Sequence, residues 1–303
     1  DADYSNSTDI DARMTDFDGI PVVGVCENAF FNDKEITSIK LSNNLERIEN
    51  GAFWGASNLK TITFSDGGKG LKKIDSLAFK DCSSLESIDL SNAEITEIPV
   101  RAFENCTSLK SIKLPSTVTK IADNAFAGCS NLEEIEGLEQ CKISELSATA
   151  FNSCVRLKDI NLSNATIAAI PDQIFSGMRG LISATVPKTV TSIGTEAFYA
   201  CKNLEMINGL SDCDITKIGE KAFYNCWSLK EADLSGSSLT VLPASAFKED
   251  TALLSVKMPE SLNEIGNEAF YGCSAMKKLD LNNTRLTTIG NSALSDMTSL
   301  MYI

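Results

Sequence analysis

The sequence contains no histidine. Without an imidazole side chain, Ser-His-Asp and Cys-His catalysis, Cys/His zinc fingers and the commonest proton shuttle are excluded. It also contains no apolar run near the ~18 to 20 residues that a membrane-spanning helix needs. Its first residues show neither an initiator Met nor a signal peptide. We therefore expect a mature or trimmed segment that does not insert directly into a membrane.

Basic residues are scarce: 27 Lys and Arg stand against 41 Asp and Glu, which gives a net charge of −14. Such a chain repels the phosphates of nucleic acids and of anionic membranes, so neither is an expected partner. The aspartates of residues 1–19 suggest calcium binding. Their spacing matches no EF-hand loop, and an acidic, solvated terminus explains them better. We expect no metal and no cofactor.

One short unit recurs along almost the whole chain. An Ala-Phe pair, or a close substitute, marks each copy, and its second residue is called the anchor below. The anchors are Phe30, Phe53, Phe79, Phe103, Phe126, Phe151, Phe175, Phe198, Phe223, Phe247, Phe270 and Leu294. From Phe30 to Leu294 the step averages 24 residues, a period typical of solenoids. Similar runs starting at Leu85, Leu157 and Leu229 add a longer period of 72 residues.

Each unit contains an apolar pattern that predicts a strand. In "LKSIKL" (109–114), Ile112 and Leu114 are two residues apart and therefore share the inward face. A loop follows, then a second inward residue such as Ile121, then the anchor, which we predict to lie on a helical or 3-10 turn. A strand, a loop and a helical turn in each coil form the pattern of a leucine-rich repeat, an α/β repeat fold. In such a solenoid, only the neighbouring coils cover the apolar face of each coil.

Most of the ten cysteines share one position. The residue three places after the anchor is Cys82, Cys106, Cys129, Cys154, Cys201, Cys226 or Cys273 in seven coils. Other coils carry Ala, Met or Asp there, as at Ala56, Met178 and Asp250. This position faces inward under the next coil, where a small side chain must fit, and cysteine is such a residue. We predict free buried thiols; a disulfide or metal ladder is the alternative.

The runs "LPSTVTKIADNAFAGCSNLEEI" (114–135) and "VPKTVTSIGTEAFYACKNLEMI" (186–207) closely resemble the BspA-like branch of leucine-rich repeats. That resemblance implies a right-handed solenoid with a parallel β-sheet on one face and short helical or 3-10 turns on the other. It also implies a cell-surface or extracellular protein of a bacterium that adheres to host proteins, glycans or other cells. We predict an N-terminal capping segment at 1–21 and a solenoid of about twelve coils at 22–303.

The outward positions of the strands are the predicted place for a partner. The first outward position runs Lys60, Glu86, Lys110, Glu133, Lys158, Ile182, Glu205, Lys230, Leu254, Lys277. Alternating charges favour a self-neutralised, solvated face, which apolar residues interrupt. The candidate binding residues are Ile182, Met206, Leu254, Tyr199, Tyr224, Trp227 and Tyr271. Tyrosine and tryptophan favour protein interfaces and sugar stacking, although a tyrosine just after the anchor also suits simple packing over the coil edge.

Three functional hypotheses follow. We expect a monomeric, non-enzymatic binding module whose partner is a host or bacterial surface protein or a glycan. A parallel β-helix enzyme acting on polysaccharide is one alternative, because that fold also stacks coils of this length. Helical turns would argue against it, and the carboxylates of "LEEIEG" (132–137) are expected to be neutralised by lysines of adjacent coils. A purely structural surface scaffold is the other alternative.

Overall fold

The computed structural model describes residues 9–10, 23–42 and 44–303, and the chain divides into two compact units, residues 1–154 and 155–303. Each unit is a solenoid of parallel strands, with a main strand and a shorter second strand in nearly every coil. The main strands of unit 1 are Asp9–Ile10, Ser38–Leu41, Thr61–Phe64, Ser87–Asp89, Ser111–Lys113 and Glu134–Glu136. Its second strands are Gly24–Val25, Arg47–Ile48, Lys73–Ile74, Glu97–Ile98, Lys120–Ile121 and Glu145–Leu146.

Unit 2 repeats the same arrangement. Its main strands are Asp159–Asn161, Ser183–Thr185, Met206–Asn208, Glu231–Asp233 and Ser255–Lys257. Its second strands are Ala169–Ile170, Ser192–Ile193, Lys217–Ile218, Val241–Leu242, Glu264–Ile265 and Thr288–Ile289. Two 3-10 helices, Leu138–Gln140 and Leu210–Asp212, follow main strands. Among the described residues, no helix is long and apolar enough to cross a membrane.

Strand register follows the repeat, as the sequence pattern predicts. Ser87 and Ile88 pair with Ser111 and Ile112 of the next coil, and both isoleucines are buried while the serines face outward. Because side chains alternate between the two faces of a strand, a shift by one residue would expose the whole inward row. The apolar pattern therefore fixes the register of the parallel sheet.

The anchors fill the interior of both units. The ten anchors from Phe53 to Phe270 are at most 1% exposed. In unit 1 neighbouring rings stack with centroids 5.0–5.8 Å apart and planes within 12° of parallel. In unit 2 the centroids are 4.9–5.7 Å apart. Burying each ring contributes about 2–3 kcal/mol, so the column of phenylalanines is a main source of stability.

The anchor turns are not helical, and this part of the prediction was wrong. In most turns the residues two places before and two places after the anchor have φ between 54° and 77°. A right-handed helix needs consecutive residues with negative φ, so it cannot form there. Instead, the N–H groups of Leu77, Phe79 and Asp81 donate to carbonyl groups of the next coil over 2.8–3.1 Å. The turn is thus a third ladder between coils, beside the two strand ladders.

The cysteines are free thiols, as predicted. All ten lie in the described part of the chain, and none forms a disulfide. The seven in the slot after the anchor are buried, and each thiol donates a hydrogen bond to the carbonyl of the anchor one coil earlier, over 3.0–3.2 Å. A thiol is therefore both a small apolar filler and a weak donor that links coils.

The predicted capping segment at 1–21 lies outside the described residues, apart from Asp9–Ile10. These two residues pair in parallel with Ser38 and Ile39, and so add one strand to the main sheet of unit 1. The boundary at residue 22 and the number of coils stay predictions.

Candidate functional site

Four of the predicted binding residues are exposed on one segment of the unit 2 coils. Ile182, Met206, Trp227 and Leu254 are 43%, 48%, 45% and 51% exposed. Each lies four to eight residues after its anchor, in four consecutive coils. That segment leads from the anchor turn into the main strand. We call these four residues the unit 2 patch.

Hydrogen bonds between coils give the order of side chains within the patch. Ile182, Glu205, Lys230 and Leu254 form one row, because each backbone N–H donates to the carbonyl of the preceding member over 2.8–3.3 Å. Lys230 Nζ lies 2.5 Å from Glu205 Oε2, so an ion pair separates Ile182 from Leu254. Met206 pairs with Ser183 and therefore belongs to the adjacent row. The patch is a mixed surface in which apolar side chains surround a charged pair.

Trp227 is held in place from two directions. Its Nε1–H donates to Asn225 Oδ1 over 3.1 Å, and Lys202 Nζ lies 3.7 Å from the centre of its ring. A cation over the face of an indole ring is attracted by the ring quadrupole, by ~0.5–1 kcal/mol at an exposed site. Neither Lys202 nor Arg179, one coil earlier in the same position, lies within ion-pair distance of a carboxylate of the described residues. Trp227 is thus an oriented aromatic side chain beside unneutralised positive charge.

The three tyrosines form a different row, one residue after their anchors. Tyr199 and Tyr224 stack with centroids 5.2 Å apart. Lys248 Nζ follows in the same row, 5.9 Å from the ring of Tyr224 and 4.9 Å from that of Tyr271. Lys248 also pairs with Glu268 over 2.8 Å, which raises the pKa of this lysine. Neighbouring rings and Lys248 cover tyrosine faces, and the hydroxyl of Tyr271 is hydrogen-bonded to Asp296. The row therefore offers mainly ring edges and the hydroxyl groups of Tyr199 and Tyr224 to a partner.

The charged row in unit 1 is self-neutralised, as the alternation predicts. Lys60 lies 3.2 Å and Lys110 4.0 Å from carboxylate oxygens of Glu86. On the same sheet, Lys113 Nζ lies 2.9 Å from Glu136 Oε2, which raises the pKa of Lys113. Such exposed pairs contribute only tenths of a kcal/mol, by the usual ~0–1 kcal/mol range. The glutamates of residues 132–137 therefore fit a charge ladder better than a catalytic pair.

A depression of about 480 Å³ in unit 1 lies beside the second strands. Its polar groups are already paired: Lys120 Nζ lies 3.2 Å from Glu145, and Ser147 Oγ donates to Asp123 over 2.5 Å. No group of three or more cysteine, aspartate or glutamate side chains in the described ranges is arranged to bind a metal ion. We assign no function to this depression.

Two features of the site were not predicted from the sequence. Lys202 occupies the position of Trp227 one coil earlier, four residues after the anchor, and aligning the coils by their anchors would have found it. The left-handed turn positions carry glycine, asparagine or aspartate in several coils, as at Gly55, Asn105 and Asp81. These residue types tolerate positive φ and were a readable signal.

The repeat matches one protein family along almost all of the chain. The family model described as "BspA type Leucine rich repeat region (6 copies)" matches residues 24–144, 96–215, 144–274 and 216–303. No curated protein matches the chain.

Two similar solved structures are bacterial leucine-rich repeat proteins. A leucine-rich repeat protein from Bacteroides ovatus is 25% identical with a TM-score of 0.60, and the match covers 92% of this chain and 81% of that one. A leucine-rich cell surface protein from Faecalibacterium prausnitzii is 23% identical with a TM-score of 0.43, covering 93% and 83% of the two chains. The family match, together with the parallel coils and buried anchors, leads to one conclusion: the chain belongs to the BspA-type leucine-rich repeat family.

Proposed function

We propose that the protein is a non-enzymatic binding module outside a bacterial cell, and that the unit 2 patch binds a protein partner. The observation that carries this proposal is that Trp227 is 45% exposed and is nevertheless held in one orientation by Asn225 and Lys202. Exposed tryptophans that are already ordered lose little entropy on binding and are typical centres of protein interfaces. The match to the BspA-type family, whose resemblance implies a surface location, supports the location.

The chemistry of the patch favours a protein segment over a sugar. Ile182, Met206 and Leu254 are aliphatic side chains, which bind apolar side chains well and offer a sugar neither a flat ring nor a polar group. Lys202 and Arg179 add positive charge to a chain of net charge −14. Charge complementarity then predicts a partner segment that combines apolar side chains with carboxylates. In this proposal, the tyrosine row stabilises the turns beside the patch and contacts the partner through the hydroxyl-bearing edges of its rings.

Binding to immobilised human extracellular matrix proteins, bacterial surface proteins and a glycan array tests the proposal. Trp227→Ala should weaken binding to the recognised protein at least about thirtyfold, because centres of interfaces contribute ~2 kcal/mol or more. Lys202→Glu should weaken it as well, and added salt should reduce the affinity of the wild type. Phe31→Ala is the matched control, since Phe31 is equally exposed at 46% but lies in unit 1.

Two outcomes would contradict the proposal. If Trp227→Ala binds as well as Phe31→Ala does, the patch is not the contact surface. If glycans bind and no protein does, the partner class is wrong. A chain that binds nothing in the panel while remaining folded would favour the purely structural scaffold.

A further inference from the structure

Asp250 occupies the slot that holds a cysteine in the coils on either side of it. Its side chain is completely buried. Its Oδ1 atom accepts a hydrogen bond from the backbone N–H of Cys226 over 2.8 Å. Its Oδ2 atom is buried without a hydrogen-bond partner. A buried polar atom with no partner costs about 1–3 kcal/mol, and more when the group is charged, so this atom calls for an explanation.

The neighbouring coils show which bond the slot normally supplies. The thiol of Cys226 donates to the carbonyl of Phe198, and the thiol of Cys273 donates to the carbonyl of Phe247. By the same register, the side chain at position 250 should donate to the carbonyl of Phe223. A carboxylate has no proton to donate, whereas a neutral carboxylic acid has one.

The surroundings of Asp250 oppose its ionisation. The titratable groups on its own turn are Lys248 and Glu249. The turn of the preceding coil includes Lys221, Tyr224 and Cys226, and the turn of the next coil includes Glu268, Tyr271 and Cys273. Burial raises the pKa of both thiols, which therefore stay neutral. Lys248 is paired with Glu268, and the charge of Glu249 disfavours a second negative charge nearby. Burial is the main cause that raises the pKa of Asp250 well above its ordinary 3.8.

We propose that Asp250 is held as a neutral carboxylic acid that donates its proton to the carbonyl of Phe223, in place of the missing thiol. Loss of that proton leaves a buried charge between two coils and removes the proposed hydrogen bond to the carbonyl of Phe223, in the turn that ends at Cys226. Trp227 is the next residue, so the same ionisation loosens the aromatic side chain of the unit 2 patch. The effect on a partner rests on the proposed function, but the effect on Trp227 does not.

The direction of the pH dependence follows from linkage. Between the ordinary pKa of an aspartate and its raised value in the folded protein, the folded state keeps a proton that the unfolded state releases. The contribution of Asp250 to stability is therefore fully present below about pH 4 and is lost as the pH rises toward the folded-state pKa. The folding equilibrium constant should fall by up to about tenfold per pH unit from this group alone.

Infrared spectroscopy and the fluorescence of Trp227 test the inference without any partner. Trp54→Phe removes the other tryptophan, which lies in unit 1. In that background, a carboxylic-acid C=O band should persist at pH 7 and should be absent from Asp250→Asn. The fluorescence of Trp227, and the protection factor of the Cys226 amide against hydrogen exchange, should change between pH 5 and 9 in the parent.

Two variants act as controls. Asp250→Asn keeps an acceptor for Cys226 and gains an N–H donor for Phe223, and Asp250→Cys restores the thiol ladder. Both should show Trp227 fluorescence, and a protection factor of the Cys226 amide corrected for intrinsic exchange, that are independent of pH over the same range. If either variant does not fold, the infrared band of the parent still decides. The proposal is overturned if the parent lacks the acid band at pH 7, or if its Trp227 signal is as independent of pH as that of Asp250→Asn.

Discussion

At the scale of single residues, the cysteine slot shows how one position meets two needs. A small apolar side chain fits under the next coil, and its thiol supplies a donor to the anchor carbonyl. Burial raises the pKa of Cys154 and of Cys201 to about 12. Since the thiolate is the reactive form, these thiols are inert at neutral pH although the protein contains ten of them.

Thiol labelling checks the predicted difference in reactivity between the exposed cysteine and the nine buried cysteines. At pH 8, a water-soluble disulfide reagent should modify Cys26 quickly, because it is the exposed cysteine. The other nine should react only as fast as the coils open, and all ten should react in denaturant. Cys26→Ser should abolish the fast phase. Rapid labelling of several buried cysteines in the native protein would show that the coils do not shield them.

At the scale of elements, the anchor turn is the unit of coil stacking. In most coils, left-handed residues lie two places before and two places after the anchor, and the N–H groups of these two residues and of the anchor point to the next coil. Several left-handed positions carry ordinary side chains, as at Leu77, Arg101 and Lys221. Each costs about 1–2 kcal/mol relative to a right-handed conformation. The ladder between coils imposes this conformation, because the N–H at that position is bonded to the next coil.

Two Ala→Gly substitutions in unit 2 separate the cost of the left-handed conformation from the general entropy cost of introducing a glycine. Ala200 has φ 55°, so Ala200→Gly should stabilise the protein by up to about 1 kcal/mol. Ala169 lies exposed in a second strand, so Ala169→Gly should destabilise it by about 0.5–1 kcal/mol. Chemical denaturation measures both. Two changes of the same sign would contradict the left-handed turn.

The sequence predicts the coil better than the turn. The 24-residue period and the apolar alternation identify the parallel sheet, the buried anchors and the free thiols. The prediction of a helical turn was wrong because residues such as Leu77 and Lys221 have no intrinsic preference for positive φ. Hydrogen bonds to the neighbouring coil impose that conformation on them. The helix argument against a β-helix enzyme therefore fails, and the family match identifies the fold instead.

At the scale of the whole molecule, the two units have different surfaces. Ion pairs such as Lys60 with Glu86 neutralise the main sheet of unit 1. Unit 2 interrupts the alternation with Ile182 and Leu254, and places Trp227 beside Lys202. The sequence predicts which residues of this patch are exposed. It does not predict how they line up in rows, or that Lys202 lies over the ring of Trp227, because both depend on which residues of neighbouring coils stand side by side.

We propose that partners bind unit 2 through the segment between the anchor turn and the main strand. Hydrogen exchange with mass spectrometry, on the protein alone and with the partner recovered from the binding panel, measures this directly. We predict added protection in residues 179–183, 202–206, 227–231 and 251–255, and none in Trp227→Ala at the same partner concentration. Protection confined to unit 1, or to the second strands of unit 2, would contradict the account.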